Sequence, residues 1–234
     1  MPIRLQTGRP APPNDRRAAG RLASLRSALG NEPPTTALVL DLGGVVLPTL
    51  FEHSAADLPS AGPFGEDGHY GAVERGEVQE RDYWRTLMNT HPQVDIEALW
   101  RDGGAVRPEF KRSLATIQTR FKVVGLTNDM AHWFGEDWMA RFPSIAAFDH
   151  VIEASSLGAL KPDPRVFTRL CERIGERPER CLFVDDLPAN LGGARTAGME
   201  VQLFDVRDPR GAVRRLLRRL GVDQPAHERG EKPC

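Results

Sequence analysis

Lysine is scarce in this chain. Of its 31 basic residues only Lys111, Lys122, Lys161 and Lys232 are lysines. Cysteine is scarcer still: Cys171, Cys181 and Cys234 stand at irregular spacing. That excludes a disulfide framework and a zinc knuckle, and a reducing, cytoplasmic setting is the expectation. No apolar run approaches the roughly 20 residues of a membrane span, and none resembles the core of a signal peptide. A formal net charge of -1 lacks the basic excess of a dedicated nucleic-acid binder. No internal repeat is visible, which sets aside solenoid architectures. What remains is 234 residues with 40% hydrophobic content. That suits one medium domain, or a domain carrying an insert, whose core needs no covalent staple.

Residues 1–36 read as a flexible N-terminal tail, punctuated by Pro10, Pro12, Pro13, Pro33 and Pro34, with a short helix over Arg16–Leu29 at most. Beyond Ala37 five short apolar runs follow: Ala37–Leu40, Lys122–Leu126, His150–Glu153, Cys181–Val184 and Val201–Phe204. Helical spacing predicts helices over 130–141, 164–174, 188–197 and 209–220 between and after them. Continuous apolar strands alternating with amphipathic helices predict an α/β fold, a Rossmann-like parallel sheet with helices on both faces. Residues 51–108 break this rhythm and read as a small helical cap inserted after the first strand, with a helical patch over Val73–Arg85. The α/β core then comprises 37–50 and 109–221, and 222–234 is a second tail.

The strand ends carry the polar residues. The first run ends in Asp41, the second in Thr127-Asn128-Asp129 and the fourth in Asp185-Asp186. Open parallel sheets bind ligands outside the carboxyl ends of their strands, so these groups share one crevice. Clustered carboxylates repel one another unless a cation neutralises them, and hard oxygens suit Mg²⁺. Lys161 lies just past the third strand in Gly158-Ala-Leu-Lys-Pro-Asp-Pro. A lysine in a chain that nearly always chooses arginine implies that a compact point charge is wanted there.

Four segments together, Asp41-Leu-Gly-Gly-Val-Val, Gly125-Leu-Thr-Asn-Asp, Gly158-Ala-Leu-Lys-Pro-Asp-Pro and Phe183-Val-Asp-Asp-Leu-Pro-Ala-Asn, resemble the haloacid dehalogenase superfamily of aspartate-nucleophile phosphohydrolases. Glu74-Arg-Gly-Glu-Val and Tyr83-Trp84 in the insert are similar to the branch that includes bacterial sugar phosphatases and the phosphatase domain of soluble epoxide hydrolases. The resemblance covers about residues 37–221. It implies a Mg²⁺-dependent phosphatase for a small phosphorylated metabolite, a sugar or cyclitol phosphate, working as a monomer or homodimer without nucleic acid or membrane. Asp41 would be the nucleophile. Mg²⁺ would be held by Asp41, the Gly43 carbonyl and Asp186, with Asp185 acting through water. Thr127 and Asn128 would bind phosphoryl oxygens, and Lys161 would neutralise nucleophile and phosphate together.

One position departs from the family. Most of its phosphatases carry a second aspartate two residues after the nucleophile, as the proton donor to the leaving group; here that residue is Gly43. A good leaving group, a cap residue, solvent or His53 would have to substitute. Gly43 also keeps open a non-catalytic binder of a phosphorylated ligand or a partner. A haloacid dehalogenase would use the same aspartate without metal, against the retained Asp185-Asp186 pair. Asn190 is expected to orient the Asp-containing loop, Tyr83 and Trp84 to form cap core, and Trp133 and Trp138 to pack locally. Arg214, Arg215, Arg218 and Arg219 read as a solvated face.

Overall fold

The computed structural model describes residues 35–55, 57–103 and 105–222. The expected helix over Arg16–Leu29, almost all of both tails and the side chain of His53 lie outside the described residues. Among the described residues five strands form, β1 Ala37–Leu40, β2 Lys122–Thr127, β3 His150–Glu153, β4 Cys181–Asp185 and β5 Glu200–Leu203. All neighbours pair in parallel, in the order β3-β2-β1-β4-β5. The chain builds outwards from β1 to one side, then crosses to add β4 and β5 on the other. That places the switch point, where a crevice opens at the strand ends, between β1 and β4.

Between β1 and β2 the chain forms α1 Leu50–His53, α2 Gly68–Glu74, α3 Glu80–Thr90 and α4 Ile96–Gly103, then α5 Pro108–Gln118. After β2 come α6 Met130–Phe134 and α7 Pro143–Ala146, and α8 Pro164–Ile174 precedes β4. The last two are α9 Pro188–Thr196 and α10 Pro209–Arg219.

Both faces of the sheet are covered, which is why its strands are apolar without a break. Leu38 and Leu40 face Phe110, Leu114 and Ile117 of α5 and Val213 and Leu216 of α10. Ala37 and Val39 point the other way, to Val166, Phe167 and Leu170 of α8 and Leu191 and Ala194 of α9. The period-two alternation of a strand thus serves two cores at once. Pro164 opens α8 after Asp163, whose side chain accepts from Arg165 N, and the helix stops at Gly175, φ 68°.

Two expected helices are interrupted. The 130–141 periodicity breaks at Gly135, whose φ of 83° no right-handed helix contains, and the chain resumes in a 3₁₀ turn at Trp138–Arg141 before Pro143 starts α7. The Val73–Arg85 patch divides between α2 and α3, with Gly76 at φ 74° between them. The fifth strand begins one residue earlier than the apolar run, and Leu203 at its end is half exposed. Asp185 is the last residue of β4 and not the first beyond it.

The inserted helices have a core of their own, built on Phe51, Tyr70, Tyr83, Trp84 and Trp100. Phe51 stacks on Trp84 at 5.0 Å, and Tyr70 meets Tyr83 edge-on at 5.3 Å. Tyr83 and Trp84 are cap core, as expected. Trp138 packs locally on Phe142, but Trp133 of α6 joins the cap cluster. The two chain segments linking cap and core are pinned together by buried Arg107. It donates to Val45 O (3.0 Å), Gly44 O (2.9 Å) and both oxygens of Glu52.

Candidate active site

Four elements deliver the predicted side chains to one crevice. Asp41 directly follows β1, and its N–H extends the sheet ladder to Val184 O (2.9 Å). Asp185 ends β4 and Thr127 ends β2. Lys161 comes from the loop before α8 and is almost wholly buried. Its Nζ lies 2.7 Å from Asp41 Oδ1 and 2.9 Å from Asp185 Oδ2, with Leu126 O at 3.4 Å. Asp185 also accepts from Asn190 Nδ2 (3.1 Å to each oxygen) and from Leu187 N (2.8 Å). Asn190 therefore orients this carboxylate, as expected.

Asn128 does more than its sequence position discloses. Its Oδ1 accepts from Lys161 N (2.9 Å), and its Nδ2 donates to Lys161 O (3.2 Å). The amide clamps the backbone of the loop that carries the ammonium. Any bond to a phosphoryl oxygen would use its remaining N–H. On the other side of that loop, Gly193 of α9 lets the helix pack on the Pro162 carbonyl. A Cβ there would overlap the carbonyl oxygen.

Charge in this crevice is unbalanced. Asp41, Asp185 and Asp186 each offer an oxygen within 4.8 Å of the others, and one ammonium faces three carboxylates. Burial, reinforced by Asp185, pushes Asp41 up to about 7 even though Lys161 pulls the other way. Burial, with Asp185 and Asp41 beside it, holds Asp186 well above the carboxylate range. For Lys161, burial alone would lower the pKa, but Asp185 and Asp41 more than reverse it, and the group stays charged. The excess negative charge, in a cluster of hard oxygen donors, fits a divalent cation such as Mg²⁺. Asp186 reaches the cluster over Gly44, where φ is 81° and a Cβ would overlap the Asp186 carboxylate.

The cap closes over these groups and leaves a pocket with about 60 Å³ of room. Asp41, Gly43, Thr127, Asn128, Lys161 and Asn190 line it from the core. From the cap come Val73, Val78, Gln79, Glu80 and Trp100. Arg81, beside Glu80, makes an ion pair with Asp129 of the core. The sequence placed Asp129 at the crevice but disclosed neither its partner Arg81 nor Glu80. Glu80 and Arg81 open a helix in a charged stretch, where acidic residues are common for helix-dipole reasons. Only the cap's placement over the strand ends shows what they face.

Comparison with known proteins accords with this geometry. The family pattern of haloacid dehalogenase-like hydrolases matches residues 35–198. The chain belongs to that family. The phosphatase MT3486 of Mycobacterium tuberculosis is 40% identical over 75 residues, 32% of this chain and 35% of that protein. Glyceraldehyde 3-phosphate phosphatase of Methanopyrus kandleri is 33% identical over 82 residues, 35% of this chain and 34% of its own. These matches span only about a third of either relative. A HAD family enzyme of Bacteroides thetaiotaomicron, solved with magnesium and inorganic phosphate, has a TM-score of 0.50 at 18% identity, covering 74% of this chain and 95% of its own. A dehalogenase solved as an intermediate complex has a TM-score of 0.54 at 17% identity, with 73% and 85% covered. Likeness at that identity shows the fold alone. This haloacid dehalogenase-like hydrolase has no described helix long and apolar enough to cross a membrane.

Proposed function

We propose that this hydrolase is a Mg²⁺-dependent phosphatase that removes the phosphoryl group from a small metabolite, a sugar or cyclitol phosphate, in the cytoplasm. Residues 37–50 and 109–221 would form its catalytic core and 51–108 its cap, in a monomer or homodimer that engages neither nucleic acid nor membrane. The observation that carries this reading is the cluster of Asp41, Asp185 and Asp186 around the single ammonium of Lys161. Asp41, the Gly43 carbonyl and Asp186, with Asp185 behind them, would hold Mg²⁺, which screens carboxylate–phosphate repulsion and stabilises charge on the transferring oxygens.

Asp41 attacks phosphorus, and water then releases phosphate from the aspartyl-phosphate, so one hard displacement becomes two easier ones. Lys161 holds Asp41 in place and, with the Thr127 hydroxyl and Asn128, meets the phosphoryl oxygens. Dehalogenation by the same aspartate needs no cation, so the acidic cluster would be electrostatic cost without return. Phosphate release from a panel of sugar, cyclitol and nucleotide monophosphates, and halide release from 2-haloacids, each with Mg²⁺ or EDTA, test the reading. Metal-dependent phosphate release supports it. Metal-independent halide release, or phosphate binding without turnover by folded protein, would replace it.

A further inference from the structure

The phosphatase reading leaves the leaving-group oxygen without a proton source, because Gly43 offers no carboxyl. Nothing in the packing forbids one there: a Cβ at Gly43 would lie 3.8 Å from Trp100 Cη2, an ordinary contact. In-line displacement sends the leaving oxygen away from the nucleophile. With Asp41 on the core side of the pocket, that direction leads to the cap. Among the described residues, the cap side chains lining the pocket are Val73, Val78, Gln79, Glu80 and Trp100, and Glu80 alone can titrate.

Glu80 is placed with some care. It is the first residue of α3, after Gln79 in extended conformation. Four residues on, the Trp84 indole donates from Nε1 to Glu80 Oε1 at 3.3 Å. Trp84 is buried and stacked on Phe51, so the ring that aims the carboxyl is fixed by cap packing. We infer that Glu80 is the catalytic acid that replaces the missing aspartate, an assignment that rests on the phosphatase reading above. As an Asp41 oxygen bonds to phosphorus and the ester P–O bond breaks, the Glu80 carboxyl gives its proton to the departing oxygen. A neutral alcohol leaves, and Glu80 becomes a carboxylate. It then takes a proton from the water whose oxygen attacks the aspartyl-phosphate. That step frees inorganic phosphate and restores both carboxyl groups.

The electrostatic setting agrees with this role. Burial chiefly, and Asp185, raise the Glu80 pKa against the Trp84 hydrogen bond and Lys161. The other titratable groups that sense its charge are Asp186, Tyr70 and its helix neighbour Tyr83. An upward shift is the direction that a proton donor to a departing alkoxide requires.

The test compares kcat/KM for an alkyl phosphate and for p-nitrophenyl phosphate, whose leaving group needs no proton. This constant covers only steps through alcohol departure. In Glu80→Gln the alkyl ester should lose about 10²-fold or more relative to the aryl ester. Glu80→Asp should retain part of the alkyl-ester rate, and Gly43→Asp combined with Glu80→Gln should restore it. Equal losses on both esters, or no rescue by either aspartate, would overturn the assignment and leave Glu80 a cap-packing residue. A wild-type enzyme inert to both esters with Mg²⁺ would remove the phosphatase reading, and this assignment with it.

Discussion

Lys161 Nζ stands 2.7 Å from the Asp41 carboxylate, with Asp185 on its other side at 2.9 Å. Both contacts are largely buried, and Asp185 is wholly so, so the carboxylates are poorly hydrated when the ammonium is removed. Lys161→Met should cut turnover by about 10²–10³-fold, as loss of one preorganised electrostatic group does. It should also cost stability, up to about 3–5 kcal/mol less whatever Asp41 recovers by taking up a proton. Denaturant unfolding and steady-state kinetics on the same preparations read the two effects. A variant with wild-type kinetics would show that the lysine is structural.

Divalent cation should stabilise the fold, and more so at higher pH. Asp41 is raised from 3.8 to about 7, and burial also raises Asp186 well above the ordinary value of an aspartate. The folded state therefore binds more protons than the unfolded state, and its stability falls as pH climbs from about 3.8 through 7. Ligation needs the deprotonated groups, so protons and Mg²⁺ compete for them. The rise in Tm on adding Mg²⁺ should be larger at pH 8 than at pH 5.5, with saturating metal worth about 2.7 kcal/mol at a hundred times Kd. Asp186→Asn should lose most of that rise. An equal rise in the variant would place the cation elsewhere.

The cap has its own pH signature at Asp67. This N-cap accepts from His69 N and Tyr70 N at the start of α2, and from the hydroxyls of Ser60 and Tyr83. Burial would raise its pKa, but these donors together bring it below 3.8. A depressed carboxylate stabilises above its unfolded pKa, and the advantage fades as pH falls below 3.8 through the folded value. Asp67→Ala should cost about 1 kcal/mol or somewhat more at pH 7. The difference in Tm from wild type should shrink by pH 3. A pH-independent difference would point to lost packing instead.

Arg107→Ala should be among the most damaging changes outside the pocket. It removes donors from Val45 O, Gly44 O and Glu52, and leaves the Glu52 carboxylate in a largely buried place. Losing one partner of such a pair costs about 3–5 kcal/mol. Arg107→Lys should recover only part of this, because an ammonium cannot form the guanidinium fork. Thermal unfolding of the two variants decides between a pinned hinge and a tolerant one.

The sheet and most of the pocket floor were legible in the sequence because both depend on local signals. Apolar runs such as Cys181–Val184 mark doubly covered strands, and the acids that follow them fall at the crevice by topology alone. The helix over 130–141 misled because hydrophobic spacing persists across Gly135, whose backbone leaves the helix. Asn128 is a different case. Its position at the end of β2 places it correctly, but the clamp on Lys161 spans 33 residues of sequence and leaves no local trace. Glu80, Arg81 and Arg107 were hidden for the same reason: each acts across the joint between cap and core, where contacts are set by tertiary packing.

On the proposed reading, Asp41 becomes phosphorylated in a metal-dependent step. Enzyme mixed with a turned-over phosphate ester and Mg²⁺, quenched in acid within one turnover and digested, should yield a phosphorylated peptide whose modified residue is Asp41. The adduct should vanish with EDTA or in Asp41→Asn. Phosphate released at the wild-type rate by Asp41→Asn, or a phosphoryl group found on any other residue, would contradict the account.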